Sequence, residues 1–232
     1  EDSASLTTHQ FSENEKITIG TLRLPKIANF TDIDPLDYEE DVGIKLVSIY
    51  DDFDGLDALV IPGTRNTVDD IEELKKSGAF DRIKDIAKKI PVFGHCGGYQ
   101  MLSKEILDPK CTESDHGSVE GLGLIDMVTK FGEIEKVVKQ SEGTIIADSE
   151  LGFKKGTKVT GYELHEAITI LGEDTKPLIK LEKGHGNDTS CQYDGAIEGN
   201  VCGTYFHGIF HNYEFRRLFT DQLRINKGLK PL

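Results

Sequence analysis

The chain has 232 residues, a length that allows one large domain or two small ones and a substantial apolar core. Its 41 acidic and 27 basic residues give a formal charge of −14, which argues against a nucleic-acid or anionic-lipid partner. No apolar run approaches the roughly 20 residues needed to span a bilayer. No signal-peptide pattern opens the chain either, so we expect a cytoplasmic protein that does not enter a membrane.

Residues 1–15 are polar and rich in serine, threonine and acidic side chains, so we interpret them as a tail or a linker remnant. The predicted domain covers residues 16–232. Within it, apolar–polar alternation or short apolar runs predict strands, and apolar residues at helical spacing predict helices. As far as residue 107, the predicted strands are 16–24, 44–49, 57–61 and 91–95, and the predicted helices are 67–76, with Thr67 as a possible cap, 81–89 and 98–107.

The second half of the chain has a different pattern. Residues 122–201 contain many short β-like segments separated by glycines, such as residues 158–171 and 177–181. Residues 201–206 are a final predicted strand, and a helix follows at about residues 213–226. The alternation in the first half predicts an α/β fold with a mainly parallel sheet between helices, and the second half predicts a small mixed or antiparallel extension.

The four cysteines, Cys96, Cys111, Cys191 and Cys202, form no C-x-x-C pair. Their spacing matches neither a zinc site nor the disulfide framework of a small secreted domain. No group of histidine, cysteine and carboxylate residues has ligand spacing, so we expect no metal centre. Each cysteine is therefore judged singly, and only Cys96 has chemically distinctive neighbours.

Cys96 lies in the run Gly94-His95-Cys96-Gly97-Gly98, where a predicted strand ends and a predicted helix begins. This layout is typical of a nucleophile elbow, in which a tight turn strains the backbone and glycines remove Cβ clashes. The helix N-terminus would favour a thiolate. A buried structural cysteine in a glycine-rich turn is the alternative interpretation, but the order of strand, elbow and helix favours catalysis.

A cysteine nucleophile needs a base, and His207 is the leading candidate. It follows the last predicted strand, and active sites of α/β folds assemble at the C-terminal ends of strands. His165 is the competing candidate. His95 adjoins the nucleophile, but neighbouring residues of a strand face opposite ways, so we expect it to pack or to line the pocket.

Backbone amides are expected to stabilise the negative oxygen that forms when the thiolate attacks. The Gly97 amide, next to the nucleophile, is one candidate donor. The second should come from a loop at a neighbouring strand end, and the strand at 57–61 runs into a Pro-Gly turn whose Gly63 allows close approach of a substrate. We therefore predict an oxyanion hole formed by Gly63 and Gly97.

These features resemble the class I (triad) glutamine amidotransferases, which share a flavodoxin-like fold. The finer resemblance is to the C-terminal glutaminase domain of the cobyric acid synthase family, and it extends over about residues 17–225. The segments that carry it are residues 22–36 (LRLPKIANFTDIDPL), 62–67 (PGTRNT), 94–102 (GHCGGYQML), 121–124 (GLGL), 161–165 (GYELH) and 203–210 (GTYFHGIF).

The resemblance implies a glutaminase. The Cys96 thiolate would attack the side-chain amide of L-glutamine, His207 would manage the protons, and water would hydrolyse the thioester to glutamate. The ammonia would serve the ATP-dependent amidation of a corrinoid in cobalamin biosynthesis. The substrate-pocket residues that the resemblance implies are Gln100, Tyr162, Glu163 and His165.

Two departures from the family pattern matter. Most triad members carry His-x-Glu, with the glutamate orienting the imidazole, whereas position 209 here is isoleucine; the cobyric acid synthase branch also lacks this glutamate. What orients His207 is left open. Family members also have an N-terminal ATP-dependent synthetase domain, whereas no P-loop motif occurs here. The resemblance therefore implies no cofactor in this chain, and a partner synthetase domain that holds ATP and Mg²⁺ and binds the corrinoid.

Two alternatives stay open. The glutaminase subunit of a cell-wall (lipid II) amidating ligase resembles the chain around Cys-Gly-Gly-Tyr-Gln, although residues 24–31 disfavour it. A non-catalytic docking or regulatory module is mildly favoured by the missing glutamate and opposed by the intact Cys96 and His207. Every catalytic interpretation requires the sulfur of Cys96 and the imidazole of His207 to meet in the fold.

Overall fold

The computed structural model describes residues 15–232, so the predicted tail lies outside the described residues except for Glu15. The α-helices are α1 (Thr67–Ser77), α2 (Ala79–Ile86), α3 (Gly97–Met101) and α4 (Tyr213–Asn226), and 3-10 helices cover Phe30–Tyr38 and Ile209–His211. None of the helices in the described part of the chain has the length and apolar character needed to cross a membrane. The strands are β1 (Ile17–Arg23), β2 (Val42–Ser48), β3 (Ala58–Ile61), β4 (Val92–His95), β5 (Glu105–Leu107), β6 (Val119–Glu120), β7 (Met127–Phe131), β8 (Val137–Ile145), β9 (Lys158–His165), β10 (Ala167–Leu171), β11 (Ile179–Lys183), β12 (Tyr193–Asp194), β13 (Ala196–Glu198) and β14 (Val201–Thr204).

Six strands form the main sheet in the order β13-β14-β4-β3-β1-β2. All neighbours in it are parallel except β13, which is antiparallel to β14. Strands β3, β4 and β14 are buried along their whole length, as expected of central parallel strands that are covered on both faces. The predicted α/β fold with a mainly parallel sheet is confirmed.

The two faces of the main sheet belong to two apolar clusters. Leu59 and Ile61 of β3 lie in the cluster that includes α1 and α2, whereas Ala58 and Val60 lie in the cluster that includes α4. This division follows from the two-residue period of a strand. Helices therefore cover both faces, as predicted, and the residues that α4 packs against the sheet are Phe215, Phe219 and Leu223, with Leu218 partly buried.

The second half of the chain supplies two further sheets of four strands each. One is mixed, in the order β10-β7-β5-β6, and the other is antiparallel, in the order β12-β11-β8-β9. The extension is thus confirmed, and β9 connects it to the main sheet. Tyr162 of β9 and His207, beyond β14, form an isolated antiparallel bridge, which Gly161 permits because a Cβ there would lie 2.4 Å from the His207 carbonyl oxygen.

Two predicted details of the helices are wrong. The helix predicted at residues 98–107 ends at Met101, and Glu105–Leu107 is strand β5, paired with β6 and β7. The apolar Ile106 is buried in this strand as it would be in a helix, so periodicity over so few residues could not decide between them. The cap of α1 is Asn66, which accepts a hydrogen bond from the Asp69 amide at 2.8 Å, rather than Thr67.

The register of the sheet aligns the C-terminal ends of three strands. Ile61 of β3 is paired with Gly94 of β4, and His95 of β4 is paired with Thr204 of β14. The segments that follow these strands therefore leave the sheet at the same edge. They carry Gly63, Cys96 and His207, the three residues that the catalytic interpretation needs together.

Candidate active site

The backbone turns sharply at Cys96, between β4 and α3. Its φ of 49° and ψ of −107° are angles that L residues rarely adopt. The turn is held close to β3 and β14: the Cys96 amide donates to the Thr204 carbonyl at 2.9 Å, and a Cβ on Gly98 would lie 1.9 Å from the Ile61 carbonyl oxygen. Only glycine fits at position 98, and the geometry is that of a nucleophile elbow.

The imidazole of His207 is buried and hydrogen-bonded to Asp32. Its Nδ1 donates to Asp32 Oδ2 at 2.7 Å, and Oδ1 of the same carboxylate accepts the Gly208 amide at 2.9 Å. Because Nδ1 is engaged with a carboxylate, Nε2 is the nitrogen that can exchange a proton with another group. Nε2 is buried and has no hydrogen-bond partner within residues 15–232. Asp32 therefore orients the ring as a triad carboxylate does.

Cys96 and His207 are electrostatically coupled. Burial lowers the pKa of His207, but the charge of the Cys96 thiolate and the hydrogen bond to Asp32 outweigh it and raise that pKa to about 10. Burial likewise would raise the pKa of Asp32, yet the charge of His95 and the hydrogen bond from His207 hold it below its usual value. The arrangement favours a protonated imidazole at His207.

Asp32 lies in the 3-10 helix Phe30–Tyr38, and sequence reasoning missed its role. The helix follows Asn29, which adopts the left-handed conformation with φ of 52°. Ile33 and Leu36 of the helix are buried and anchor it to the core. The segment was part of the family resemblance, but it contains several acidic residues, and the sequence did not indicate which of them meets His207.

The other two histidines considered as site residues are engaged elsewhere. His165 Nδ1 lies 2.9 Å from the Ala167 carbonyl oxygen and its Nε2 lies 3.0 Å from Glu163 Oε2, so both ring nitrogens are engaged with groups other than Cys96. His95 is buried, and its Nε2 donates to the Phe206 carbonyl at 2.6 Å. Burial lowers the pKa of His95, against the opposing charge of Asp32. These contacts leave His207 as the candidate base.

A cavity of about 240 Å³ opens beside Cys96. The Cys96 thiol donates to the Leu164 carbonyl at 3.4 Å on one wall. On another wall, a Cβ at Gly63 would lie 3.8 Å from the Cβ of Cys96. Gly63 and Gly97 both line this cavity, and their amides donate no hydrogen bond within residues 15–232.

Gln100 also lines the cavity, and its side chain is fixed. Its Oε1 accepts the Thr67 hydroxyl at 2.6 Å, and its Nε2 lies 3.4 Å from the Tyr205 hydroxyl. The side chain is buried and belongs to the rigid wall behind the elbow. His165 lines the same cavity, stacked on Tyr205 with ring centroids 3.8 Å apart.

The structure places Tyr162 and Glu163 outside this cavity. Tyr162 stacks on His207, with ring centroids 5.0 Å apart, and lines a second cavity of about 540 Å³ that Asp32 and His207 also border. The Glu163 carboxylate is buried. Burial would raise its pKa, but hydrogen bonds lower that pKa to about 2. The donors are the side chains of His165 and Ser141 and the backbone amides of His185 and Gly186. Glu163 holds His165 in place and does not itself reach the cavity.

Two groups of possible metal ligands occur in the described chain. They are Asp32 with His95 and His207, and Glu163 with His165 and His185, and within each group the ligand atoms lie within 4.8 Å of one another. Each carboxylate already accepts hydrogen bonds from its neighbours. We therefore describe both groups as hydrogen-bonded networks, one orienting the base and the other supporting the cavity wall.

Comparison with known proteins agrees with this geometry. Residues 18–215 match the model of the CobB/CobQ-like glutamine amidotransferase domain. The chain belongs to this family. A probable cobyric acid synthase of Methanosphaera stadtmanae is 79% identical over all of this chain, which corresponds to 46% of that protein. A cobyric acid synthase of Clostridium botulinum is 42% identical over 92% of this chain and 42% of that protein. The chain thus spans less than half the length of these relatives.

Solved structures share the fold at low sequence identity. PurLQS from Thermotoga maritima has a TM-score of 0.69 at 15% identity, covering 89% of this chain and 99% of that one. A glutamine amidotransferase from the same organism has a TM-score of 0.55 at 14% identity, covering 91% and 92% of the two chains. At these identities the likeness concerns the fold.

Proposed function

We propose that this chain is the glutaminase part of a cobyric acid synthase, with Cys96 as nucleophile, His207 as acid and base, and Asp32 as the positioning carboxylate. The observation that carries the proposal is the strained Cys96 elbow coupled to an imidazole whose Nδ1 is held by Asp32 at 2.7 Å. The names of the relatives support the assignment to cobyric acid synthase.

The first half-reaction forms a thioester. The Cys96 sulfur attacks the side-chain carbonyl carbon of L-glutamine, and the Gly63 and Gly97 amides stabilise the resulting oxyanion. The His207 imidazolium then donates its Nε2 proton to the amide nitrogen as the carbon–nitrogen bond breaks. Ammonia leaves, and the glutamyl group stays on sulfur.

The second half-reaction restores the enzyme. Neutral His207 takes a proton from water, and the hydroxide that forms attacks the thioester carbon. The carbon–sulfur bond breaks, glutamate departs, and the thiolate again faces an imidazolium. Asp32 stabilises the charged ring at both stages and keeps Nε2 directed at the reacting groups.

The ammonia serves a second site outside this chain. The relatives are more than twice as long, and the family resemblance assigns their N-terminal part to an ATP-dependent synthetase that activates corrinoid carboxylates. ATP and Mg²⁺ bind that part, which is this chain's partner in cobalamin biosynthesis. The Asp32–His207 pair also weakens the case for a decayed, non-catalytic module, because the carboxylate missing at position 209 is supplied from another segment.

A glutaminase assay tests the proposal, with this chain alone and with the N-terminal part of the Methanosphaera stadtmanae relative added. Cys96→Ser and His207→Ala should each lose about a hundredfold or more in glutamate release, as other nucleophile–base pairs do. The matched control is Cys111→Ser, which removes an exposed cysteine and should keep wild-type turnover. Wild-type turnover in Cys96→Ser would overturn the proposal.

A further inference from the structure

The Asp32–His207 contact joins two segments that each contain a short 3-10 helix. Asp32 lies in the helix Phe30–Tyr38, and Glu39 follows directly at its C-terminal end. His207 precedes the helix Ile209–His211. Because hydrogen-bond geometry is poorer in a 3-10 helix than in an α-helix, neither segment is rigid by itself. The 2.7 Å contact therefore depends on what fixes the two segments relative to each other.

Arg216 of α4 holds both segments with one side chain. Its Nε donates to Glu39 Oε1 at 3.0 Å, and its Nη1 donates to the Phe210 carbonyl at 2.9 Å. The side chain is buried, so these two bonds are not exchanged for bonds to water. A guanidinium presents its donors in a fixed planar fork. The two bonds therefore set the separation between the end of the Asp32 helix and the segment after His207.

Arg216 is itself held in place. The residues before and after it on one face of α4, Phe215 and Phe219, pack on Phe93 of β4 with ring centroids 6.3 and 6.2 Å apart. The guanidinium lies between two aromatic rings, 5.8 Å from the centroid of Tyr38 and 5.4 Å from that of Tyr213. Cation–π contacts of this kind restrict where the fork can move. Both segments are thus tied to a helix that is anchored on the main sheet.

The neighbouring arginines differ from Arg216 in what they reach. Arg217 Nε lies 3.2 Å from Glu39 Oε2, and its guanidinium lies 5.5 Å from the Tyr213 ring centroid. Within residues 15–232 it makes no hydrogen bond to the segment after His207. Arg224 donates to Glu39 Oε2 at 3.4 Å. Glu39 therefore keeps cationic partners when Arg216 is replaced, and the fold is expected to survive the change.

We propose that Arg216 is a positioning residue, which sets the Asp32–His207 separation by holding Glu39 and the Phe210 carbonyl with one guanidinium. This inference rests on the proposed function, in which Asp32 orients the imidazole of His207. The competing role for Arg216 is purely structural, as one member of a buried ion pair that keeps α4 on the domain. The two roles differ in whether the effect of Arg216 on catalysis passes through Asp32.

The glutaminase assay separates the two roles. Arg216→Lys keeps a positive charge beside Glu39 but replaces the fork by a single ammonium group. The kcat for glutamate release should fall about tenfold or more because the imidazole is no longer held in its working position, with KM for glutamine within about twofold of wild type. In a chain that already carries Asp32→Asn, the same change should lower kcat by less than about twofold, since the contact it supports is already lost.

The matched control is Arg217→Lys, which changes an arginine beside the same carboxylate and should leave kcat within about twofold of wild type. Proton NMR observes the contact without turnover. A histidine Nδ1 proton held by a buried carboxylate resonates far downfield of the backbone amides, and its loss in His207→Gln assigns the signal. The signal should be lost or broadened in Arg216→Lys and retained in Arg217→Lys.

An equal fall in kcat with and without Asp32→Asn would assign Arg216 to the structural role and overturn the inference. Wild-type kcat in Arg216→Lys, or an unchanged downfield signal, would overturn it as well. Arg216→Gln, which also removes the fork, takes the place of a lysine variant that does not fold, and failure of both to fold would make Arg216 structural. Loss of the signal in Arg216→Lys, when the wild-type chain releases no glutamate, would overturn the proposed function alone.

Discussion

The two halves of the proposed catalytic centre, the Cys96 elbow and the Asp32–His207 pair, are built in different ways. Cys96 owes its position to a turn of a few residues, whose backbone angles are set where β4 meets α3. His207 owes its orientation to Asp32, which lies 175 residues away in the chain. One half is a local backbone structure, and the other is a contact between distant segments.

This difference has a consequence for the energetics of each half. The elbow is packed backbone against backbone, with no space for a Cβ at Gly98, so a change there must disturb the main sheet. The Asp32–His207 contact is a charged pair between side chains, and the desolvation of such a pair offsets much of its attraction. We therefore expect the elbow to control stability and activity together, and Asp32 to control activity more than stability.

The largest effect is expected at the elbow. Gly98→Ala would place a Cβ 1.9 Å from the Ile61 carbonyl oxygen, and backbone cannot yield as a flexible side chain can. The free energy of unfolding, measured in urea, should fall by about 3 kcal/mol or more. Gly228→Ala is the control: it has open space around it, and its only cost, of about 1 kcal/mol, comes from its positive φ of 77°. Equal losses in the two variants would contradict the backbone explanation.

A smaller effect, confined to activity, is expected from Asp32→Asn. The amide removes the negative charge that stabilises the imidazolium and no longer enforces one orientation of the ring, so kcat for glutamate release should fall about a hundredfold. The free energy of unfolding should fall by about 2 kcal/mol at most, less than in Gly98→Ala, because the buried imidazole can lose its proton instead of staying an unpaired charge. Asp34→Asn, on an exposed aspartate of the same helix, should leave both quantities unchanged. A fully active Asp32→Asn variant would remove Asp32 from the catalytic centre.

The sequence was sufficient for the parts of the fold that carry their own signal. Strands β3, β4 and β14 are short apolar runs because both faces are covered, and α4 was predicted with its observed bounds from one apolar face. Strand β5 was missed because it has only three residues, and its partners β6 and β7 lie further along the chain. A segment of that length is too short to show the hydrophobic periodicity that distinguishes a strand from a helix.

The site residues also differ in whether adjacent residues or distant segments determine their role. The elbow could be located because the cysteine and the glycines that form it are adjacent in the sequence. The structure agrees with its predicted strand–turn–helix context. Asp32 could not be distinguished from Asp34, because both are aspartates in one segment and only the fold buries one and exposes the other. Glu163 was expected in the substrate pocket, but its carboxylate is enclosed by partners from β8 and from the segment after β11. Such partners follow from sheet assembly, which a single sequence does not specify.

The smallest expected effect is a pH dependence of the unfolding free energy, and it tests the contact between Asp32 and His207. The folded-state pKa of His207 is raised to about 10, above its ordinary value of 6.5. Its protonation therefore contributes stability that is fully present below pH 6.5 and is lost as the pH rises through 10. The difference in unfolding free energy between wild type and His207→Gln should shrink between pH 9 and pH 10 by about 1 kcal/mol. His116→Gln, on an exposed histidine, should show no such trend. A difference that stays constant with pH would mean that the imidazole does not share its charge with Cys96 and Asp32, and the local and distant halves would then not act as one catalytic centre.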